Sequence, residues 1–417
     1  MEVLKMTGGR ALSGVYTVGG AKNAVLPIMA ATLMVRGDTV LKNVPDLTDV
    51  RSMGRLLMTL GAKVKKEKDI WIINTDRCGE QVLPEELMKK MRASNLIWGP
   101  LLHRFSKMEL PLPGGCRIGG RPMDIHVSGM RRLGVKVEER GGKIASDGTN
   151  MAGNEICLDF PSVGATENLV MAAVKIPGST VIRNAAKEPE VADLCRFLRK
   201  CGGKIRGIGS DVLRIEGVKE LCATEHRVIS DRIVGGTVLL AAMICGGDVT
   251  VSSDAPEDMN ALVAKMEEAG AEAFREHGSV RLKSNGRFYG TDLRTMPFPG
   301  FPTDLQPQFM TAMTLAEGTS VLRESIFENR FTQSAELRKM GADITTDGRC
   351  AVIRGRKRLY GAEVEAFDLR CGAALVLGGL GAEGETVVKG TEYIDRGYEG
   401  IENIFASLGG NIKRIRC

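Results

Sequence analysis

The stretch Leu60-Gly61-Ala62-Lys63-Val64 returns five more times along the chain with the same character. Each copy has a glycine in second place, then a small residue, a polar residue and an apolar one. The copies lie roughly 70 residues apart, and a fixed period of this kind marks a repeated structural unit. The further copies begin at Leu133, Cys201, Ala269, Met340 and Leu408.

An amphipathic run precedes each copy, for example at residues 49–59 and 258–268. A glycine at the end of such a run is typical of a helix that ends on a left-handed residue. The residues after the glycine alternate between apolar and polar, which indicates a strand. We therefore predict a helix–glycine–strand unit that is used six times.

A second, far more apolar segment precedes each amphipathic helix. Helices that are apolar on all sides must be buried on all sides. Most of these segments lead into a glycine-containing turn and a β-branched strand, as in Gly37-Asp38-Thr39-Val40. The six segments are residues 22–35, 92–102, 163–174, 231–245, 304–315 and 370–380.

The two kinds of segment together predict an α/β protein that is a two-domain inside-out α/β barrel. Six βαβαββ-type units place their apolar helices inside and their sheets towards water. A Rossmann fold is disfavoured because no GxGxxG motif follows a first strand. A TIM barrel is disfavoured because it has eight units with one helix each, whereas here six units have two.

The domain boundaries follow from the positions of the repeats. The fourth apolar segment begins near Ser230, and the last repeat ends almost at the final residue. The piece before Gly19 is too short to be a domain, so we expect it to pair with the C-terminal half. The predicted domains are residues 21–229, and residues 1–20 with 230–417, with the active site in the cleft between them.

The composition is that of an ordinary globular chain, with 43% hydrophobic and 26% charged residues among 417. Lysine and arginine are interleaved with acidic residues, which argues against a nucleic-acid surface. The apolar stretches are too short to span a membrane, and no signal peptide is recognisable. The ten cysteines form no CxxC pair and the four histidines are scattered. We expect free thiols, no metal site, no membrane partner and a cytoplasmic location.

Charged or helix-capping residues recur at the entrances of the apolar helices. Ser162 and Asp304 are of the capping type. Lys22, Arg92 and Arg370 carry a positive charge, which does not suit a helix N-terminus because a cation there opposes the helix dipole. An anion should therefore compensate them, and basic side chains at helix N-termini form anion sites. The pattern predicts a positively charged site for an anionic small molecule.

Residues 111–122 (PLPGGCRIGGRP) contain four glycines, three prolines and one cysteine. Such a composition is typical of a flexible lid. Cys116 stands between Arg117 and Arg121, and nearby positive charge lowers the pKa of a thiol and makes it reactive. We therefore predict that Cys116 is a functional thiol.

The helix entrances and the lid resemble the UDP-N-acetylglucosamine 1-carboxyvinyltransferase family of enolpyruvyl transferases, and the resemblance covers the whole chain. The sibling family, 5-enolpyruvylshikimate-3-phosphate synthase, has a Gly-Ser-Lys-Ser type motif in place of residues 21–24 and lacks the cysteine lid. The matching segments are GAKNA (20–24), MRAS (91–94), PGGCRIG (113–119), SVGAT (162–166), FPTD (301–304), FENRF (327–331), DLR (368–370) and DRGY (395–398).

The resemblance implies a reaction as well as a fold. The enolpyruvyl group of phosphoenolpyruvate would move to the 3-hydroxyl of UDP-N-acetylglucosamine, with release of phosphate. This is the first committed step of peptidoglycan precursor synthesis, and so serves cell-wall biogenesis, cell shape and cell division. No metal or organic cofactor is implied. An enolpyruvyl transferase with another acceptor, or a catalytically silent UDP-sugar-binding paralogue, remains an alternative.

The resemblance also assigns roles to residues. Cys116 would donate a proton to C3 of phosphoenolpyruvate, would be able to add covalently to the enolpyruvyl carbon, and would be the target of the epoxide fosfomycin. Asp304 would act on the sugar 3-hydroxyl as a base or an orienting group. The implied catalytic residues are Cys116, Asp304, Lys22 and Arg396; those for phosphoenolpyruvate are Lys22, Asn23, Arg121, Arg370 and Arg396; those for the UDP-sugar are Arg92, Arg121, Pro122, Met123, Asp124, Ile125, Ser162, Val163, Asp304 and Ile326.

The sequence departs from the family pattern at a few places. Cys371 follows Arg370 where a small residue is usual, and we expect this thiol to pack in the core. Phe298 stands where relatives can carry histidine, and Asn95 with Leu96 stand where some relatives have Ile-Trp. These differences concern fine substrate contacts.

Overall fold

The computed structural model describes residues 2–79, 92–111, 119 and 123–416; for residues 92–94 it describes only the backbone. The described chain forms two compact units. One consists of residues 19–79, 92–111 and 123–229 and is called the 19–229 unit below. The other consists of residues 2–18, 119 and 230–416 and is called the 230–416 unit.

The elements are numbered along the chain. The strands are β1 Glu2–Thr7, β2 Leu12–Thr17, β3 Val35–Arg36, β4 Asp38–Lys42, β5 Lys63–Glu67, β6 Ile70–Asn74, β7 Lys107–Pro111, β8 Lys136–Arg140, β9 Lys143–Asp147, β10 Glu155–Cys157, β11 Ser179–Arg183, β12 Lys204–Arg206, β13 Val212–Glu216, β14 Leu221–Cys222, β15 Glu225–Arg227, β16 Gly247–Ser252, β17 Glu272–Glu276, β18 Ser279–Ser284, β19 Leu293–Arg294, β20 Thr319–Arg323, β21 Asp343–Asp347, β22 Cys350–Arg354, β23 Glu363–Glu365, β24 Glu385–Lys389 and β25 Asn411–Arg416.

The α-helices are α1 Lys22–Ala31, α2 Thr48–Thr59, α3 Trp98–Phe105, α4 Asp124–Arg132, α5 Val163–Ala173, α6 Pro189–Lys200, α7 Arg232–Cys245, α8 Asn260–Glu268, α9 Gln306–Met313, α10 Gln333–Lys339, α11 Leu369–Gly381, α12 Thr391–Ile394 and α13 Ile401–Ser407. Short 3₁₀ turns lie at Thr32–Met34, Arg92–Ile97, Pro256–Met259 and Thr303–Leu305. None of the helices in the described part of the chain has the length and apolar character that crossing a bilayer requires.

Within the described residues, each unit contains three main sheets. The sheets of the 19–229 unit have the strand orders β15-β4-β6-β5, β7-β9-β8 and β10-β11-β13-β12, with a small β14-β3 pair beside them. Those of the 230–416 unit have the orders β17-β18-β16-β2, β19-β20-β22-β21 and β23-β24-β1-β25. In every four-stranded sheet, three strands pair antiparallel and one edge strand joins in parallel.

Apolar helices form the core of each unit. In the 230–416 unit, α7, α9 and α11 pack against one another and are buried along almost their whole length. In the 19–229 unit, α3 packs on α5, and the 3₁₀ turn before α3 packs on α1. The strands alternate between buried and exposed residues, so one face of each sheet covers the helices and the other meets water. Within each unit the helices therefore lie inside and the sheets outside, as the repeats predict.

The six repeated glycines all have a positive φ, between 85° and 104°. Each ends its amphipathic helix with the same pair of backbone hydrogen bonds. After α2, for example, the Gly61 N–H donates to Met58 O at 2.9 Å and the Ala62 N–H to Leu57 O at 3.0 Å. This is a Schellman motif, which satisfies carbonyls at the helix end and favours glycine. The predicted helix–glycine–strand unit is present six times.

The N-terminal residues belong to the C-terminal half. Strand β1 pairs antiparallel with β24 and β25, and β2 pairs parallel with β16. Gly19 and Gly20, which we placed with residues 230–417, lie in the 19–229 unit instead. The reason is local: the Ala21 N–H donates to Ile229 O at 2.8 Å, and Gly20 packs on the backbone of Asn43.

Candidate active site

Asp304 lies at the entrance of the buried helix α9, in the 3₁₀ turn Thr303–Leu305. Its carboxylate is shared by two guanidinium groups. Arg330 Nη2 donates to Oδ1 at 2.7 Å, and Arg370 Nη2 donates to Oδ2 at 2.8 Å. Both arginine side chains are almost fully buried, whereas Asp304 is 24% exposed. The accessible group of this cluster is therefore the carboxylate, and the cluster carries one net positive charge.

Arg370 is the second residue of α11, whose N-terminus is capped by Asp368. Burial by itself would lower the pKa of Arg370, but Asp304, Tyr398 and Asp231 together outweigh it, and the pKa lies above its ordinary value. Arg370 thus stays a cation where the helix dipole opposes one. The sequence predicts that an anion compensates this residue, and in the structure that anion is Asp304.

A buried hydroxyl network supports Arg370 from the other side. Arg370 Nη1 lies 3.5 Å from the Tyr398 hydroxyl, which lies 2.8 Å from Thr237 Oγ1. Gln308 Nε2 donates to both hydroxyls, at 3.1 and 3.2 Å. Burial raises the pKa of Tyr398 above its ordinary value, so the phenol is neutral at neutral pH. This network fixes the guanidinium between Asp304 and Tyr398.

Arg396 follows α12 and is only half-buried. Its N–H donates to Tyr393 O at 3.4 Å, and its neighbour Asp395 is bound by Arg414 at 2.7 Å. Ile326 is also half-buried and lies in the turn after β20, where its N–H donates to Glu324 Oε1 at 2.7 Å. Both predicted site residues therefore offer surface that a small molecule is able to reach.

The first helix of the 19–229 unit begins at Lys22, which again is a cation at a helix entrance. Lys22 Nζ lies 3.4 Å from Asp49 Oδ2, and both side chains are largely buried. Ala21 occupies the N-cap position and offers no side-chain hydrogen bond. Asn23, the next residue, is half-buried. As at Arg370, a carboxylate compensates the cation at the helix start.

Five of the predicted UDP-sugar residues of this unit lie at two helix starts. Ser162 caps α5, and its Oγ accepts from the Ala165 N–H at 3.4 Å, with Val163 as the first helical residue. At the start of α4, Met123 is buried, Asp124 is exposed and Ile125 is half-buried.

His126 joins the two helix starts, and the sequence analysis did not single it out. Asn168 Nδ2 lies 3.2 Å from His126 Nδ1, and a side-chain atom on Gly164 would meet the imidazole ring at 3.4 Å. That distance is an ordinary van der Waals contact, so the ring does not by itself require a glycine at position 164. The contacts of His126 arise from tertiary packing, and the sequence carries no signal for them.

Some predicted residues lie outside the described part of the chain. Cys116, Arg121 and Pro122 belong to residues that the structure does not describe. Arg92 opens the 3₁₀ turn Arg92–Ile97, but its side chain is outside the description. Their roles stay predictions.

Three further residues near Asp304 were not named as site residues. Arg330 belongs to the matched FENRF segment, but its own role was not assigned. Glu324 and Tyr398 act through hydrogen bonds to residues far away in sequence. The prediction for Cys371 is consistent with its surroundings, because its thiol is fully buried and burial raises its pKa to about 12.

Comparisons with known proteins agree over the whole length of the chain. Residues 6–405 match the family model described as EPSP synthase (3-phosphoshikimate 1-carboxyvinyltransferase). UDP-N-acetylglucosamine 1-carboxyvinyltransferase 1 from Carboxydothermus hydrogenoformans is 48% identical over 415 residues, which are 100% of this chain and 99% of that protein. The enzyme of the same name from Thermodesulfovibrio yellowstonii is 44% identical over 417 residues, which are 100% of both chains.

The chain belongs to the UDP-N-acetylglucosamine 1-carboxyvinyltransferase family.

Solved structures of enolpyruvyl transferases share the fold of this family member. NikO from Streptomyces tendae aligns with a TM-score of 0.90 and 20% identity, covering 100% of this chain and 99% of the other. EPSP synthase from Acinetobacter baumannii aligns with a TM-score of 0.77 and 18% identity over 100% of both chains. The predicted family and fold class are therefore confirmed.

Proposed function

We propose that the chain transfers the enolpyruvyl group of phosphoenolpyruvate to the 3-hydroxyl of UDP-N-acetylglucosamine and releases phosphate, in the first committed step of peptidoglycan precursor synthesis. The names of its full-length relatives support this proposal. The observation that carries it in the structure is Asp304, an accessible carboxylate held in place by two buried arginines. The cytoplasm stays the predicted location.

The chemistry has two stages. In the addition, the sugar oxygen bonds to C2 of phosphoenolpyruvate, the hydroxyl proton leaves, and C3 gains a proton. In the elimination, C3 loses a proton and the C2–O bond to phosphate breaks, which leaves an enol ether. We propose Asp304 as the group that orients or deprotonates the hydroxyl, and Cys116 as the acid for C3.

The cations are proposed to bind the phosphate and carboxylate of phosphoenolpyruvate. Four cations, Lys22, Arg121, Arg370 and Arg396, form this proposed set together with the neutral amide of Asn23. Arg370 is 5% exposed and bonded to Asp304, so direct contact with the substrate requires this cluster to rearrange. Arg396 is more accessible and is the stronger candidate for a direct contact. Electrostatic stabilisation of this kind needs no cofactor.

The proposed UDP-sugar contacts come from several segments. Asp124 and Ile125 at the start of α4 and Ile326 after β20 have accessible side chains, which supports them as contacts. Met123 is buried, so among these residues its side chain is the least able to touch the UDP-sugar. The remaining members of the proposed set are Arg92, Arg121, Pro122, Ser162, Val163 and Asp304.

The test is an acceptor comparison with purified protein. Phosphate release is measured with phosphoenolpyruvate and either UDP-N-acetylglucosamine, another UDP-sugar or shikimate 3-phosphate. We expect release with UDP-N-acetylglucosamine, and vinyl protons in the NMR spectrum of a 3-substituted product. Preference for another acceptor would replace the proposed substrate. Binding of UDP-N-acetylglucosamine in calorimetry without any phosphate release would identify a silent paralogue.

A further inference from the structure

Glu324 is a buried carboxylate that the proposed chemistry does not use. It follows strand β20 and is only 2% exposed. A buried carboxylate is costly unless hydrogen bonds satisfy its oxygens. Four donors do so here: Thr295 Oγ1 at 2.8 Å, Ile326 N at 2.7 Å, Phe327 N at 3.1 Å and Thr303 Oγ1 at 3.0 Å.

The two oxygens of Glu324 bind different segments. Oε1 accepts from the backbone of the turn at Ile326 and Phe327, and from Thr295. Thr295 in turn hydrogen-bonds Ser325 through its hydroxyl and its carbonyl, so the residue after β19 is bonded to this turn. Oε2 accepts from Thr303, the residue immediately before Asp304.

Thr303 is fixed from two directions. Its hydroxyl donates to Glu324, and its carbonyl accepts from Arg330 Nε at 3.2 Å. The same arginine donates to Asp304 at 2.7 Å. The position of the Asp304 carboxylate therefore depends on Thr303, and Thr303 depends on Glu324.

We infer that Glu324 is a positioning residue, which holds the turn at residues 325–327 and the Asp304 carboxylate in one fixed geometry. The inference rests on the proposed function, in which Ile326 contacts the UDP-sugar and Asp304 acts on its 3-hydroxyl. The sugar bound at the turn is then presented to Asp304 at a set distance. A carboxylate suits this task because it has two acceptor oxygens and the backbone N–H groups only donate.

The hydrogen bond between Glu324 and Thr303 is tested by a variant of Thr303, which is half-buried and can be changed without removing a charge. Thr303→Val keeps the shape of the side chain but removes its bond to Glu324. We expect kcat to fall about tenfold, because misplacing a catalytic group by a fraction of an ångström is costly. The KM for UDP-N-acetylglucosamine should change little, because the turn keeps its bonds to Glu324 Oε1.

Two further variants separate this role from general stability. Thr303→Ser restores the hydroxyl and should recover most of the lost kcat. Thr291→Val makes the same chemical change at a buried threonine of the same unit, whose hydroxyl donates to Tyr289 O, and should leave kcat unchanged. Thermal unfolding of all variants checks that each is folded.

A second variant tests the contact between Glu324 and the turn at residues 325–327. Thr295→Val removes two hydrogen bonds of the Thr295 hydroxyl, the one that it donates to Glu324 and the one that it accepts from the Ser325 N–H of the turn. We expect this change to act mainly on the KM for UDP-N-acetylglucosamine, whereas Thr303→Val acts mainly on kcat. This split is a result that a merely structural role would not produce.

The outcomes distinguish the inference from the proposed function. If the wild-type protein releases phosphate and Thr303→Val has wild-type kcat, or if Thr303→Ser loses as much as Thr303→Val, the inference is overturned and the proposed function stands. If the wild-type protein releases no phosphate with UDP-N-acetylglucosamine, the proposed function fails and the inference falls with it.

Discussion

Asp304 divides its two carboxylate oxygens between Arg330 and Arg370, and this division links its chemistry to stability. Removing one partner of a buried ion pair leaves an uncompensated charge behind. Here two buried cations are bonded to the same carboxylate. A change at Asp304 should therefore affect both the reaction and the stability of the 230–416 unit.

For Asp304→Asn we expect kcat to fall roughly 100-fold or more, because the amide neither accepts the hydroxyl proton nor matches both arginines. The fold should persist with a loss on the order of 2 kcal/mol, less than for a fully buried pair because Asp304 is partly exposed. Phosphate release gives kcat, and thermal unfolding gives the stability.

The matched control is Asp343→Asn in the same unit. Asp343 also bonds two arginines, Arg354 and Arg356, but these are more than half exposed. Exposed pairs contribute little, so this variant should keep wild-type activity and nearly wild-type stability. Near-normal turnover of Asp304→Asn would remove Asp304 from the mechanism.

The repeated helix end is the element of this fold that recurs most regularly along the chain. All six amphipathic helices end in a Schellman motif, whose glycine takes a positive φ. The motif reverses the chain after the helix and directs it into the next strand. Because the motif depends on neighbouring residues alone, the sequence reveals it without knowledge of tertiary contacts.

Alanine variants of two glycines in the 19–229 unit distinguish the cost of backbone strain from the cost of a steric clash. At Gly202 an added Cβ would meet nothing within 4 Å, so Gly202→Ala should cost only the left-handed strain, about 1 kcal/mol. At Gly61 the added Cβ would lie 2.9 Å from Arg77 O, so Gly61→Ala should cost clearly more. Urea unfolding of the two variants measures the difference, and equal losses would contradict this explanation.

Local signals of this kind account for most of what the sequence could predict. The six apolar helices, the six glycine-ended helices and the charged helix entrances can each be recognised from a short stretch of sequence. Sheet order is different, because β1 and β2 join strands that lie more than 200 residues away. We inferred this pairing from the size of the N-terminal piece, and the two-residue pair of β3 and β14 had no sequence signal.

Prediction of the candidate site from sequence is limited in the same way. Lys22, Asp304 and Arg370 could be selected because each has an unusual charge or cap at a helix entrance. The partners of these residues could not be predicted, because each lies between 26 and 66 residues away in sequence. The pairs are Lys22 with Asp49, Asp304 with Arg330, and Arg370 with Asp304. Which cation meets which anion is decided by tertiary packing. The sequence thus predicted an anion for Arg370 without predicting that the protein supplies it.

At the scale of the whole molecule, the chain passes between its two units near residues 18–19 and again near 229–230. Asp193 supports the second passage, where its Oδ2 accepts from the Ile229 N–H at 3.3 Å. The proposed site residues are divided between the units, with Lys22 in one and Asp304 in the other. The proposed reaction therefore draws on residues of both units, and the lid at residues 111–122 is predicted to close when substrates bind.

Labelling of the ten cysteines tests this prediction for the lid. Thiol reactivity depends on the thiolate form. Burial raises the pKa of Cys195, Cys245 and Cys371 to about 12, so these thiols should be inert. Within the described part of the chain, Cys157 and Cys222 are exposed and are the main competitors, whereas Cys78 and Cys350 are half-buried. Cys116 lies outside that part, and the sequence predicts a reactive thiol there.

We expect fosfomycin, a small anionic epoxide, to alkylate Cys116 selectively, because the flanking arginines attract the anion and stabilise the thiolate. UDP-N-acetylglucosamine should speed this labelling if its binding closes the lid. Cys116→Asp should resist labelling yet stay active, since a carboxylic acid also donates a proton, whereas Cys116→Ser should lose most product release. Peptide mapping with and without the nucleotide sugar is the measurement. Equal labelling of Cys157 and Cys222, or a rate that the sugar leaves unchanged, would rule out a lid that closes over the thiol.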